Sequence, residues 1–140
     1  MTVEALMAQK YLKKYDISLD LIDLRTVKPI DFKAIVESLE VTRKILILDT
    51  GVSTCSIASE IISYIAINHS SLLDKPPEKI TMPDIPEPTS YGLTKNFYPR
   101  AADIAQKIIS IIGIKGINPY EEIMKPSPHD VPGEWFKGPF

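Results

Sequence analysis

Four hydroxyl side chains before a predicted helix form the clearest candidate for a binding site in the sequence. Thr50, Ser53, Thr54 and Ser56 follow a predicted strand, and the free amides at a helix start favour negative charge. Open α/β sheets often bind ligands at the carboxyl ends of their strands, so a small anion- or nucleotide-binding protein is one hypothesis. The loop has one glycine and no lysine, unlike a phosphate-binding loop. Capping of the helix by Ser53 or Thr54 is therefore the preferred interpretation.

The segment just before this loop, LILDTG at residues 46–51, carries the pattern of an aspartic protease. In those enzymes two aspartates share one proton and activate water. They are nearly all β, whereas residues 57–67 follow the period of a helix. Val52 also stands where the protease pattern has Ser, Thr or Ala. We therefore interpret Asp49 as the end of a buried strand, and Gly51 as the residue that lets the chain turn toward the next helix.

The other reactive side chains do not form a catalytic or metal-binding pattern. His69 and His129 have no cysteine or histidine neighbours at ligand spacing, so we expect both on the surface and no metal site. Cys55 lies near a helix start without a histidine close in sequence, which favours a packed thiol over a nucleophile. Asp23 and Arg25 are predicted to form a structural ion pair.

Composition and charge indicate a soluble, intracellular, single-domain protein. The chain has 140 residues and a net charge of −2, which gives no general attraction to nucleic acid or to anionic membranes. No apolar run approaches the roughly 20 residues of a membrane helix, and the N-terminus lacks the apolar block of a secretory signal. The single cysteine excludes an internal disulfide and suits a reducing compartment. We expect a cytoplasmic protein, or a mitochondrial matrix protein in a eukaryote.

Hydrophobic periodicity predicts the order helix, strand, helix, strand, helix, strand, helix. This alternation indicates a three-layer α/β/α fold with a mostly parallel sheet. All but one of the 12 prolines lie from Pro76 onward, so we divide the chain into an α/β domain over 1–113 and an extended tail over 114–140. The predicted strands are residues 18–24, 44–49 and 78–82, and the predicted helices begin near residues 2, 31, 57 and 99.

The ends of these helices are predicted from capping residues. Thr2 and Asp31 are expected N-caps, and Gly113 is expected to end the last helix in the left-handed conformation. The first helix should end near Lys14 and turn one apolar stripe inward. That stripe consists of Val3, Leu6, Met7 and Tyr11.

Three segments, taken together in order, resemble the beta subunits of 2-oxo acid dehydrogenase E1 components. Residues 22–31, IDLRTVKPID, resemble the family's IDLRT–x–PxD stretch. Residues 43–51, RKILILDTG, are similar to its next strand and loop, and Glu60 stands at its usual helix glutamate. Residues 84–104, DIPEPTSYGLTKNFYPRAADI, resemble the family's D-x-P-x-P…L…YP…DI segment. The match covers about residues 3–112. Its DTG residues at 49–51 and PTS residues at 88–90 resemble branched-chain or bacterial hybrid members more than pyruvate-specific ones.

The resemblance implies the transketolase carboxy-terminal fold. In the family this domain dimerises the subunit and docks the E2 dihydrolipoyl acyltransferase core. The complete enzyme uses thiamine diphosphate and Mg²⁺ to decarboxylate a 2-oxo acid, and it passes the acyl group to lipoamide. The family's catalytic histidine and cofactor-activating glutamate lie in the preceding domain. We therefore assign no catalytic, cofactor-binding or metal-binding residue to this chain, and we expect it to be inactive alone. Its implied partners are the rest of E1 beta, the E1 alpha subunit and E2.

The sequence departs from that family at its start. The family domain opens with strands before its first helix, one of them in the middle of the sheet, whereas this sequence starts at the helix. Either another polypeptide supplies that strand, or residues 18–24 and 44–49 pair directly. Unpaired strand edges invite association, so we expect self-association or marginal stability.

Large aromatic residues are the candidates for contact with a partner, because they are costly to leave in water. They are Phe97, Tyr98, Trp135, Phe136 and Phe140. The tail aromatics could instead cover the domain itself. A freestanding interaction module that kept the family's surface but lost its chemistry is a further hypothesis.

Overall fold

In the computed structural model, which describes residues 1–123 and His129, helices alternate with two parallel strands. No helix within the described residues is long and apolar enough to cross a membrane. Short 3-10 turns occupy Lys13–Tyr15, Ser70–Leu72 and Thr94–Asn96. The elements in chain order are α1 (Thr2–Leu12), α2 (Phe32–Thr42), β1 (Leu46–Val52), α3 (Ile57–Asn68), β2 (Glu78–Met82), α4 (Ala101–Ile112) and α5 (Pro119–Glu122).

The two strands are covered by helices on both faces, which confirms the three-layer α/β/α prediction. Leu46 and Leu48 of β1 pack against the core between α1 and α4. Ile47, which points to the opposite face of the strand, packs against the core between α2 and α3. The strands are parallel, with Leu46 opposite Glu78 and an irregularity between Leu48 and Val52. A strand apolar on both faces is what a parallel sheet between two helical layers requires.

The predicted strand at residues 18–24 is wrong. Within the described residues the sheet contains β1 and β2 alone, and no backbone–backbone hydrogen bond joins 18–24 to another segment. Direct pairing of this segment with the residues of β1 is therefore also wrong. Side chains of the helices hold the segment instead. Gln9 Nε2 donates to the Leu19 carbonyl at 2.9 Å, Ser38 Oγ donates to Asp20 at 2.8 Å, and Thr2 Oγ1 donates to Asp23 at 3.1 Å.

Of the helix ends predicted from Thr2, Asp31 and Gly113, those at Asp31 and Gly113 are confirmed and that at Thr2 is wrong. Asp31 caps α2 by accepting a hydrogen bond from the Ala34 amide at 3.1 Å. Gly113 follows α4 with a φ of 77°, which is the left-handed conformation that glycine adopts readily. Thr2 is not a cap, because Met1 occupies the N-cap position and Thr2 lies within α1.

The predicted inward face of α1 is half right. Tyr11 is buried and Met7 packs on the core, whereas Val3 and Leu6 are 41% and 48% exposed. Small residues take their place, and Ala5 and Ala8 are buried. An alanine face lets α1 approach α4 closely, because little side chain separates the two helices.

The start of the tail is more regular than the sequence predicts. Residues 119–122 form α5, where irregular chain was expected, and the Pro119 side chain is fully buried. Ile117 and Ile123 pack against the core between α1 and α4. The first part of the predicted tail therefore belongs to the folded unit.

Candidate functional site

Asp49 connects the end of β1 to the start of α3. One carboxylate oxygen accepts a hydrogen bond from the Gly51 amide at 2.8 Å, and the other accepts one from the Ala58 amide at 3.0 Å. A Cβ at Gly51 would lie 3.2 Å from the Asp49 carboxylate, so glycine permits this close approach. Both oxygens thus serve the loop, which agrees with the structural role predicted for Asp49. The flanking helices are also unlike the all-β fold of an aspartic protease.

We call residues 50–56, which include Thr50, Ser53, Thr54 and Ser56, the hydroxyl loop. Its polar groups make hydrogen bonds with other groups of the protein. Ser56 Oγ accepts from the Ser59 amide at 3.1 Å and caps α3, so the prediction that Ser53 or Thr54 is the cap is wrong. The Thr54 amide and hydroxyl donate to the two oxygens of Asp84, at 3.0 and 2.7 Å. These hydrogen bonds, with that from the hydroxyl the larger cause, hold the pKa of Asp84 below its usual value.

A lysine near the same loop is also engaged. Lys79 Nζ donates to the Ser53 carbonyl at 2.6 Å and to Ser59 Oγ at 2.7 Å. An anion entering this loop would meet the carboxylates of Asp49 and Asp84, which already accept hydrogen bonds from the loop amides of Gly51 and Thr54. The geometry therefore favours a structural loop, and anion binding by Thr50, Ser53, Thr54 and Ser56 stays an untested hypothesis.

The other reactive side chains are dispersed. Asp23 and Arg25 form the predicted ion pair at 3.0 Å, on the surface. Cys55 is exposed in a left-handed conformation with a φ of 55°, so the prediction of a packed thiol is wrong. His69 is half-buried, and its ring lies 5.6 Å from that of Tyr64. Within residues 1–123 and His129, no group of three or more His, Cys, Asp or Glu side chains is placed to hold a metal ion.

The predicted aromatic contact residues differ in their accessibility. Phe97 is 5% exposed and packs edge-on against Tyr98 at 5.1 Å between ring centroids, so it offers little surface to a partner. Tyr98 is half-buried, and its hydroxyl donates to Glu87 at 2.9 Å. Trp135, Phe136 and Phe140 lie outside the described residues.

An apolar loop surface was missed by the sequence reasoning. Ile85, Tyr91 and Leu93 are 53%, 57% and 72% exposed, and all three lie in the proline-broken segment between β2 and α4. We call these three residues the loop surface. The signal in the sequence was the presence of large apolar side chains in a segment too broken by proline to form a helix or a strand. Exposed apolar residues mark a contact site when they form a contiguous patch.

A cavity with a volume of about 590 Å³ lies between residues 18–24 and β1. We call it the central groove. Residues 18–24 form one wall and residues 44–50 form the other. The sides come from both helical layers: α1 and α4 contribute residues such as Ala5 and Ile108, and α2 and α3 contribute residues such as Leu39 and Ile61. The groove therefore lies in the middle layer of the fold, at the level of the sheet.

Comparison with known proteins shows the family to which the chain belongs and several similar proteins. A family model described as the transketolase C-terminal domain matches residues 1–104. The acetoin:2,6-dichlorophenolindophenol oxidoreductase subunit beta of Bacillus subtilis is 33% identical over 114 residues, which are 81% of this chain and 33% of that protein. The mitochondrial pyruvate dehydrogenase E1 component subunit beta of Chaetomium thermophilum is 31% identical over 107 residues, which are 74% of this chain and 28% of that protein.

A solved structure shares the fold at lower identity. It is described as a split gene transketolase, inactive beta4 tetramer, and it matches with a TM-score of 0.66 and 21% sequence identity. The match covers 82% of this chain and 36% of that one. In these comparisons the present chain spans about a third of the length of its relatives.

Proposed function

Because the chain belongs to the transketolase C-terminal domain family, we propose that it is the association domain of a 2-oxo acid dehydrogenase E1 beta-like enzyme. The observation that carries this proposal is the extent of the match. The family domain takes up residues 1–104, and the curated relatives are beta subunits about three times as long as the matched region. The complete enzyme would decarboxylate a 2-oxo acid oxidatively and transfer the acyl group to lipoamide.

We assign the chemistry of this enzyme to other polypeptide segments. Thiamine diphosphate and Mg²⁺ would need oxygen ligands for the metal and donors for the diphosphate. The described residues do not fit this need, since they offer no metal-binding group of side chains. In the hydroxyl loop, the Gly51 amide donates to Asp49 and the Thr54 amide donates to Asp84. We propose that thiamine diphosphate and Mg²⁺ are held by the family's preceding domain, and that this chain does not turn over substrate alone.

The loop surface is the proposed contact with partner subunits. Ile85, Tyr91 and Leu93 expose apolar side chains, and burying them against another subunit removes this surface from water. The proposed partners are the rest of E1 beta, E1 alpha, the E2 dihydrolipoyl acyltransferase core and a second copy of the chain. Such a complex would be assembled in the cytoplasm, or in the mitochondrial matrix of a eukaryote.

Co-expression with the polypeptide that carries the cofactor domain of the same organism's enzyme tests this proposal. We expect the two to co-elute, and we expect 2-oxo acid-dependent reduction of dichlorophenolindophenol only when both are present. Leu93→Ser should weaken the binding between the two polypeptides by about tenfold, because it places a hydroxyl in an apolar contact. Val41→Ser is the matched control, since Val41 is 81% exposed at the end of α2, outside the loop surface.

Two results would decide against the proposal. Full activity of the cofactor polypeptide without this chain would make the chain unnecessary for that reaction. Co-elution without any gain in activity would instead support a freestanding interaction module that kept a family surface.

A further inference from the structure

The chain after α4 returns to the domain and is held there at two places. The first is α5, whose Pro119 is fully buried and whose Glu122 accepts a hydrogen bond from Tyr11 at 3.0 Å. The second is His129, which lies against the loop between β2 and α4. Both places follow residue 104, where the match to the family model ends. The attachment of the tail is therefore a feature of this chain that the family match does not describe.

His129 is held through both its ring and its backbone. Its ring centroid lies 4.1 Å from that of Tyr91. Its Nε2 lies 2.9 Å from the Tyr91 carbonyl oxygen, and because a carbonyl only accepts, this nitrogen carries a hydrogen and donates it. The His129 carbonyl accepts a hydrogen bond from Arg100 Nη2 at 2.8 Å. These contacts together specify one position for this residue of the tail.

The groups that receive His129 are themselves held by the folded domain. Thr94, whose hydroxyl oxygen lies 3.2 Å from His129 Nε2, is 5% exposed. Its hydroxyl donates to the Tyr91 carbonyl at 2.9 Å. Arg100 also pairs with the buried Glu4 of α1 at 3.3 Å. Because these contacts do not involve the tail, they preorganise the place that receives His129.

His129 meets the loop surface at Tyr91, and much of that surface stays uncovered. Tyr91 and Leu93 are 57% and 72% exposed, although the His129 ring lies beside the tyrosine. Residues 130–140, DVPGEWFKGPF, follow directly in the sequence, and we call them the aromatic segment. Its large aromatic residues are Trp135, Phe136 and Phe140. An extended chain from His129 can place Trp135 up to about 20 Å away, so Leu93, two residues from Tyr91, lies within its reach.

Attachment through α5 and His129 gives the aromatic segment an advantage over a separate molecule. A segment tethered within a few residues of its site has an effective concentration on the order of millimolar. A molecule in solution must exceed this concentration or bind correspondingly more tightly. The aromatic segment therefore needs only a weak affinity for the loop surface to occupy it in the free chain.

We propose that the loop surface binds the aromatic segment of the same chain, with His129 as the anchor, and that a partner must displace this segment to bind there. The docking concerns the free chain alone. The displacement rests on the function proposed above. The same chain is favoured over a second copy as the source, because its own His129 already lies at the edge of the loop surface.

The fluorescence of Trp135, the only tryptophan of the chain, tests the docking on the full chain. We expect acrylamide to quench it about threefold less than in the urea-unfolded chain, because an indole packed on apolar side chains is shielded from solvent. Leu93→Ser and His129→Ala should each raise the quenching by about twofold or more, because each removes a contact that holds the segment.

Two variants on the other helical layer are the matched controls. Val41→Ser changes an exposed apolar residue at the end of α2, and His69→Ala changes the histidine that follows α3. Both should leave the quenching of Trp135 unchanged. Circular dichroism checks that all four variants keep their helices.

The polypeptide that carries the cofactor domain tests the displacement. When it is added, the quenching of Trp135 should rise to the level of Leu93→Ser. Phe136→Ser should raise the affinity between the two polypeptides by about tenfold, because it weakens the internal competitor. A lower affinity would make the aromatic segment part of the partner contact and would overturn the displacement. Absence of any binding would refute the proposed function and the displacement with it, while the fluorescence of the free chain would still decide the docking.

Three results would overturn the docking. Equal quenching in the folded and the unfolded chain would mean that Trp135 lies in solvent. Quenching that neither Leu93→Ser nor His129→Ala changes would place the aromatic segment on another surface. Protection of Trp135 that appears only as the protein concentration rises, together with a dimer in sedimentation, would assign the loop surface to the tail of a second copy.

Discussion

The contact between α1 and α4 is complete, whereas the space between residues 18–24 and β1 is open. In the helical contact Ala8, Leu12 and Ile104 are at most 1% exposed. Across the central groove Leu21 and Ile22 are 38% and 39% exposed. Both regions are rich in apolar residues, so composition does not separate them.

The difference follows from how each element satisfies its backbone. A helix makes its hydrogen bonds within itself, so α1 and α4 need only each other's side chains to finish their contact. A strand makes its hydrogen bonds with a neighbour, so a missing neighbour leaves both backbone and apolar surface exposed. Among the described residues, the chain therefore contains a fully packed core between α1 and α4 beside a sheet with an unpaired edge. We call the α1–α4 core the finished region.

The largest difference between the two regions is expected in the free energy of unfolding when one leucine in each region is shortened to alanine. Leu12→Ala removes a fully buried side chain from the α1–α4 core, and we expect it to lower the free energy of unfolding by about 3 kcal/mol. Leu21→Ala removes the same atoms from a side chain that is 38% exposed at the groove, and we expect a loss of less than about 1 kcal/mol. Urea denaturation at one protein concentration measures both. Equal losses would show that the groove side is as tightly packed as the helical core.

A buried carboxylate links the two helices of the finished region. Glu4 is 8% exposed and accepts hydrogen bonds from the Ala101 amide at 2.7 Å and from Arg100 Nη1 at 3.3 Å. It therefore satisfies an amide at the start of α4 from a side chain on α1. Asp103 accepts from the Arg100 amide at 2.8 Å within the same helix start.

Glu4→Ala should lower the free energy of unfolding by about 2 kcal/mol, because it leaves a buried amide without an acceptor and takes one partner from Arg100. Glu4→Gln keeps an oxygen for the Ala101 amide and should lose about half as much. Glu37→Ala is the control, since Glu37 forms an exposed pair with Lys33 at 3.7 Å, and it should change stability by less than about 0.5 kcal/mol. If Glu37→Ala lowered the free energy of unfolding as much as Glu4→Ala, the buried hydrogen bonds of Glu4 would have no special role in stability.

The finished region was the part that the sequence predicted best, and the physical reason is local. The helix starts and ends depend on residues a few positions apart, such as Asp31 with Ala34 and Gly113 with Ile109. The buried face of α1 was missed in part because alanines pack against α4. Ranking positions by hydrophobicity alone favours Leu6 over Ala8, although close helix contact favours the small side chain.

The open region and the loop needed information from distant parts of the chain. The alternation at 18–24 does reflect two apolar layers, but pairing depends on a neighbour that the pattern does not contain. Thr54 and Asp84, or Ser59 and Lys79, meet because a parallel crossover brings the ends of β1 and β2 together. No local spacing in the sequence indicates such contacts.

The smallest expected effect concerns the edge of the finished region, where α5 is held to α1. Glu122 accepts hydrogen bonds from Tyr15 and, at 3.0 Å, from Tyr11. These bonds, that from Tyr15 first, hold the pKa of Glu122 below its usual value. A carboxylate with a lowered pKa contributes stability above its unfolded value of about 4.3, and this contribution is lost as the pH falls through the lower folded value.

We therefore expect α5 to lose its attachment below about pH 4 while the α1–α4 core stays folded. Amide exchange at residues 120–123, followed from pH 6 to pH 3, measures this step. Glu122→Gln should remove the pH dependence, because an amide does not titrate in this range. Glu121→Gln is the matched control, since Glu121 is exposed on the same short helix, and it should keep the dependence. If the whole chain unfolded together with α5, then α5 and the α1–α4 core would form one cooperative unit that includes Glu122.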